Sequence, residues 1–146
     1  MKIIILNALF FLTFIFSYER INFTSANPFS FRDIITNLEN QESQDVYGIL
    51  RFPDNYDSNK KYPLIIGVAG SLDWSNHHYE YLDMYRNLGI ATFELNSFKS
   101  RGVKSTVGSQ TEVTTAMIIL DLYNAFELLS NHENIDKDNV GLTGWS

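Results

Sequence analysis

Apolar positions follow two rhythms along this chain. Leu64-Ile65-Ile66-Gly67-Val68, Ile90 to Leu95 and Val140-Gly141-Leu142-Thr143 are short apolar runs with little alternation, the pattern of strands covered on both faces in a parallel sheet. Between them the spacing becomes helical. Ser75 or Asn76 can cap a helix from about His77 to Leu88, with Tyr81, Met84, Tyr85 and Leu88 on one stripe and Gly89 as its stop. Thr111 begins a second helix ending near His132, with Val113, Ala116, Met117, Leu120 and Tyr123 as its apolar stripe and Glu112 in the first turn, where the helix dipole favours it. Upstream, Val46 to Phe52 reads as a strand stopped by Pro53, and the polar Asp54 to Lys61 as an exposed loop. Ser30 caps a short helix from Phe31 to Leu38, and Glu39 to Asp45 reads as a solvated linker. Asn96 to Gln110, broken by Gly102 and Gly108, is a long irregular connection of the kind that often carries function. Strand, helix, strand, helix, strand predicts an α/β fold: a mostly parallel sheet with helices on both faces and chemistry beyond the carboxyl ends of its strands.

The N-terminus has a different character. Lys2 precedes Ile3 to Phe16, fourteen residues interrupted only by Asn7 and Thr13. As a helix that run spans about 21 Å at 1.5 Å per residue, short of a roughly 30 Å hydrocarbon core, so it reads as a signal peptide rather than a stable membrane span. Thr24-Ser25-Ala26 supplies small residues, which places the expected cleavage after Ala26 and divides the chain into a leader (1–26), an N-terminal helix and linker (27–45) and the main domain (46–146). The expected location is periplasmic or secreted.

Composition narrows the chemistry. With 11 basic and 17 acidic residues the net charge is −6, and no basic cluster stands ready to neutralise phosphates, so nucleic acid is not an expected partner. Cysteine is absent, which excludes disulfides, thiolate metal sites and a Cys nucleophile. His77-His78 is a poor metal pair, because adjacent side chains on a helix diverge by about 100°; surface or pocket-rim positions are expected for both. No metal or organic cofactor is expected.

Gly144-Trp145-Ser146 directly follows the last apolar run and matches the first three places of G-x-S-x-G, in which a serine sits on a strained turn between a buried strand and a helix. The stretch Asp136 to Ser146 resembles the approach to the nucleophile in dienelactone hydrolase-like members of the α/β-hydrolase superfamily, and prolyl-oligopeptidase-like enzymes are similar there. The resemblance extends to Tyr62–Ser71, as the strand entering the oxyanion loop, and to Glu94–Val103, which carries an Arg-Gly pair, and covers about 85 residues from Tyr62 to Ser146. Where many relatives have His-Gly at the oxyanion turn, this chain has Ala69-Gly70.

The resemblance implies Ser146 as nucleophile and Ser71 or Leu72 as a backbone donor to the negatively charged oxygen of a tetrahedral intermediate; such a donor, preorganised, is worth about 3 kcal/mol. A second donor would follow Ser146. Asp73 and Trp74, beside the turn, either line the substrate cleft or serve the fold, Asp73 as a helix cap. Trp145 flanks the nucleophile and is a further candidate for substrate contact. Arg101 either orients a substrate carboxylate or pairs with Glu94. In this fold the triad runs Ser, acid, His, yet His77, His78 and His132 all precede Ser146, so the base and its acid are expected in sequence beyond this chain, on the order of 100 residues given the usual size of such folds. The expectation is therefore the front part of a secreted serine hydrolase of carboxylic esters or lactones, its partner a small-molecule ester or lactone. A prolyl-oligopeptidase-like peptidase and a non-catalytic binding protein of the same fold are the alternatives.

Overall fold

The computed structural model describes residues 18–146. The apolar run Ile3 to Phe16 lies outside the described residues. Strands β1 (Tyr18–Ala26), β2 (Ser43–Arg51), β3 (Tyr62–Val68), β4 (Ala91–Leu95) and β5 (Ile135–Gly144) form one sheet in the order β1-β2-β4-β3-β5. The strands β4, β3 and β5 are parallel, whereas β2 runs antiparallel to both β1 and β4. The helices are α1 (Phe31–Thr36), α2 (Asn76–Asn87), α3 (Ser97–Ser100) and α4 (Thr115–Ser130). The mixed, mostly parallel α/β architecture is as the sequence predicts.

Side chains alternate along a strand, and on β3 this sorts the two faces. Leu64 and Ile66 join Val46, Leu50, Ala91, Phe93 and Ile135 under Ala125 and Leu129 of α4. Gly67 points the other way, where an added Cβ would lie 2.9 Å from Trp74 and 3.4 Å from Leu82 of α2. Helices therefore cover both faces. The α4 face holds the main core, in which each fully buried Leu, Ile or Phe contributes roughly 1.5–3 kcal/mol. Gly48 is fixed by this packing: a Cβ there would stand 2.1 Å from the Phe93 ring, so only glycine lets the ring lie across β2.

Several boundaries differ from expectation, each for a physical reason. The expected cleavage point after Ala26 falls at the end of β1, whose nine residues pair along their whole length with β2, from Tyr18 opposite Arg51 to Ala26 opposite Ser43. Tyr18–Ala26 thus forms an edge strand of the sheet, which the expected leader boundary did not foresee. The segment taken as helix and linker is the connection between two paired strands; it contains α1, a 3₁₀ turn at Leu38–Asn40 and the first residues of β2. At the start of α1 the Asp33 carboxylate accepts hydrogen bonds from both the backbone N–H (2.8 Å) and the hydroxyl (2.9 Å) of Ser30. Helix α4 starts at Thr115 instead of Thr111, because Thr114 is the cap: its hydroxyl accepts from the Met117 N–H at 3.2 Å and donates to the Pro28 carbonyl at 3.0 Å. Glu112 lies ahead of the helix, and Tyr123 is exposed while Asp121, Ala125 and Leu129 are buried. Strand β5 begins five residues early, at Ile135. Its pairing with β3 slips between Tyr62 and Leu64, at Pro63, which has no N–H to donate.

Helix α2 buries a different stripe from the one expected. His78 and Leu82 face inward, whereas Tyr81, Met84 and Leu88 are exposed. Among the described residues, no helix is long and apolar enough to cross a membrane.

Candidate active site

The site forms where β3 and β5 end side by side. Gly144 pairs with Val68, and the Trp145 N–H donates to the Val68 carbonyl at 3.1 Å, so the chain leaving β5 is held against the chain leaving β3. Ser146 then sits on the loop Ala69–Asp73. The approach is close: a Cβ on Gly70 would stand 2.7 Å from the Ser146 carbonyl carbon and 2.8 Å from the Trp145 oxygen. Any larger residue would push backbone against backbone.

The loop itself is a tight turn. The Asp73 N–H donates to the Gly70 carbonyl at 2.9 Å, and Asp73 adopts a left-handed conformation with φ 62°, which its short polar side chain tolerates better than most. The amides of Ser71 and Leu72 donate to no group among the described residues. Ser71 and Ser146 line the same cavity of about 230 Å³, together with Ala69, Gly70 and Trp145, with Thr106, Gln110 and Val113 from the stretch ahead of α4, and with Thr115 and Ile118 of α4. Leu72 is 72% exposed and is not part of this wall.

Trp145 rests on an aromatic bed. Its ring lies 4.7 Å from His78 and 5.6 Å from Trp74, and the Trp74 indole donates to the Leu95 carbonyl at 2.9 Å. His78 is buried here, contrary to the surface or rim position expected for it, and its Nδ1 accepts from the Ser75 N–H at 3.2 Å. Burial, followed by the neighbouring His77, holds the His78 imidazole below its ordinary pKa. Nearby, burial and then the Glu94 carboxylate push the Tyr79 hydroxyl up to about 12. Glu94 also accepts from the Asn96 side-chain amide at 3.1 Å.

The remaining candidates fall away from the cavity wall. Asp73 is buried and lies 3.8 Å from the Lys99 ammonium. Trp74 is buried beneath Trp145. Arg101 does not meet Glu94. Its guanidinium is 4% exposed and forms a bidentate pair, at 2.7 and 3.1 Å, with Asp121, which is fully buried in α4; it also donates to the Asn27 side chain and to the carbonyls of Ala26 and Ser97. The guanidinium's donors are thus taken up inside the fold, and Arg101 is not part of the cavity wall. Among the described residues no histidine hydrogen-bonds Ser146, and no group of three or more His, Asp or Glu side chains is placed to hold a metal ion.

Sequence reading missed two contributors. Thr106 and Ser105 reach the turn from the long connection, the Thr106 N–H at 2.9 Å and the Ser105 hydroxyl at 3.1 Å, both donating to the Ser71 carbonyl. Their only signal in the sequence is that the connection is long.

No family model and no curated protein matches the sequence. Solved structures do match the fold. A candidate dienelactone hydrolase from Klebsiella pneumoniae superposes with a TM-score of 0.54 at 16% identity, over 87% of this chain and 50% of that one. The fold is that of the α/β-hydrolases. Other α/β-hydrolase-fold chains agree: a candidate dipeptidyl aminopeptidase IV from Bacteroides ovatus (TM-score 0.57, 18% identity, 88% of this chain and 17% of that one) and an acylaminoacyl peptidase from Pyrococcus horikoshii (0.53, 17%, 89% and 19%). The chain thus spans half the length of the Klebsiella protein and less than a fifth of the two peptidases.

Proposed function

We propose that this chain is the nucleophile-bearing part of an exported serine hydrolase of carboxylic esters or lactones. The observation that carries the reading is the contact between Ser146, at the end of β5, and the Gly70–Ser71 turn, at the end of β3, with the free Ser71 amide beside the same cavity. A serine hydroxyl attacking a carbonyl creates a negatively charged oxygen, and a fixed N–H next to the nucleophile is what lowers the cost of that charge. In this reading Ser146 Oγ forms the bond to the acyl carbon, the alkoxide leaves with a proton, and water then releases the acid from the acyl-enzyme. The Ser71 N–H holds the oxygen in both steps. The proton must pass through a general base, which in this reading is a histidine oriented by a carboxylate.

The shallow wall of Trp145, Thr106, Gln110 and Val113 suits a small acyl group. Peptide hydrolysis is the second reading, favoured by the fold shared with the Bacteroides and Pyrococcus peptidases. The test is exposure of the full-length protein to a fluorophosphonate probe, with and without Ser146→Ala. Labelling that disappears in the variant is expected; no labelling, or labelling that survives the substitution, leaves the binding-protein alternative standing. Short p-nitrophenyl esters against peptidyl-nitroanilides then separate the two hydrolytic readings.

A further inference from the structure

We propose that Ser105 is a positioning residue for the oxyanion-stabilising turn, an inference that rests on the catalytic reading above. Two peptide planes of the turn carry its free amides, and each is held by its own carbonyl. All described peptide bonds are trans, so the carbonyl and N–H of one plane point in opposite directions. In the first plane the Gly70 carbonyl accepts from the Asp73 N–H, which directs the Ser71 N–H away from the turn's own interior. In the second plane the Ser71 carbonyl accepts from Thr106 N–H and from Ser105 Oγ, which fixes the plane that carries the Leu72 N–H and with it the dihedral on the C-terminal side of Ser71.

Ser105 is itself held. Its hydroxyl donates to Ser71 while accepting from the Val107 N–H at 3.1 Å, so its rotation is determined from both sides. Thr106 is buried, and its neighbour Ser109 donates back to the Thr106 carbonyl at 3.1 Å. The connection is therefore a strap with its own internal bonds, and it grips the turn at the residue that carries the donor. Such a residue never touches substrate. It acts through the residue it grips: with the plane after Ser71 fixed, the Ser71 Cα, and with it the N–H in the plane before, keeps its place beside the cavity, and small errors of aim are costly in the transition state and nearly free in substrate binding.

The test uses the full-length protein and a short p-nitrophenyl ester, with Ser105→Ala, Ser105→Cys and Ser105→Thr. Ser105→Ala removes both bonds; Ser105→Cys keeps the shape but has only a weak donor; Ser105→Thr keeps the hydroxyl. The expected result is a fall in kcat of about tenfold or more for the Ala and Cys variants with KM within about twofold, and recovery to within about threefold in the Thr variant. A midpoint of thermal unfolding close to wild type in the Cys variant separates aim from folding. Unchanged kcat in the Ala variant, a rise in KM alone, or equal losses in the Thr and Ala variants overturns the proposal. Wild-type protein that neither turns over the ester nor takes the fluorophosphonate overturns the catalytic reading itself, an outcome distinct from an active enzyme indifferent to Ser105.

Discussion

Arg101 illustrates how a charge inside this fold is made tolerable. Its guanidinium meets Asp121 through two bonds and three neutral acceptors through others, so burial leaves none of the charge without a partner. The bonds span elements distant in sequence: the end of β1, the start of α3 and the middle of α4. Removing one partner is predicted to cost far more than replacing both. Asp121→Ala leaves a guanidinium that is 4% exposed without its counter-charge, and is expected to destabilise the full-length protein by about 3–5 kcal/mol. The double change Arg101→Met, Asp121→Leu should recover most of that loss. Urea unfolding measures both; a single-variant loss below about 1 kcal/mol would show that water reaches the pair. The pairing also shows why sequence reading chose the wrong carboxylate. Glu94 is near Arg101 in the chain, whereas Asp121 is the one charge inside the apolar run Ala116 to Leu122, and a charge there demands a partner.

At the scale of elements, legibility followed burial. Strands β3 and β4 were plain because both faces are covered, which leaves continuous apolar runs; β5 was legible only from Val140 onward, and Ser146 stood out as a candidate because it closely follows that short run. Helix α2 was visible as a helix but not in its orientation: the stripe Tyr81, Met84, Leu88 and the stripe His78, Leu82, Tyr85 both have helical spacing, and only Trp74 and Trp145 on the neighbouring face select the second. Strand β1 was missed because it lies at an edge. Arg20, Asn22 and Thr24 face solvent while Ile21, Phe23 and Ser25 turn inward, so the alternation exists but is short and adjoins the apolar run Ile3 to Phe16. This edge strand carries a prediction about processing. Cleavage after Ala26 would strip β2 of its partner along nine residues and remove the Ala26 carbonyl from Arg101. Ser17 is a small residue immediately after the apolar run, and if the run is an export signal that is removed, the recovered protein is expected to begin at or before Tyr18. N-terminal sequencing or intact mass reads this directly; a mature terminus at Asn27 would mean that the sheet dispenses with β1.

For the molecule as a whole, the two sides of the sheet end differently. On one side β1 is an edge rich in charge, with Arg20 stacked on Tyr47 at 3.5 Å. On the other, β5 pairs with β3 and presents its second row of N–H and carbonyl groups outward, with Leu142 59% exposed. Leu142 shares a face with Ile66, and beside it Ile119, Leu122, Tyr123 and Phe126 of α4 border an apolar groove of about 370 Å³. An open strand edge beside an open apolar groove is the combination that invites pairing with a second chain, because backbone hydrogen bonds and apolar burial reward the same contact. The fragment 18–146, purified by itself, is therefore expected to self-associate in sedimentation velocity. Leu142→Lys places a charge where a new strand would pack and should shift the distribution toward monomer without altering the β3 contact, since the pairing with Ile66 is made through backbone. Cooperative unfolding of an unmodified monomeric fragment would show instead that the parallel trio β4, β3 and β5, with α4 across it, is stable with this edge bare.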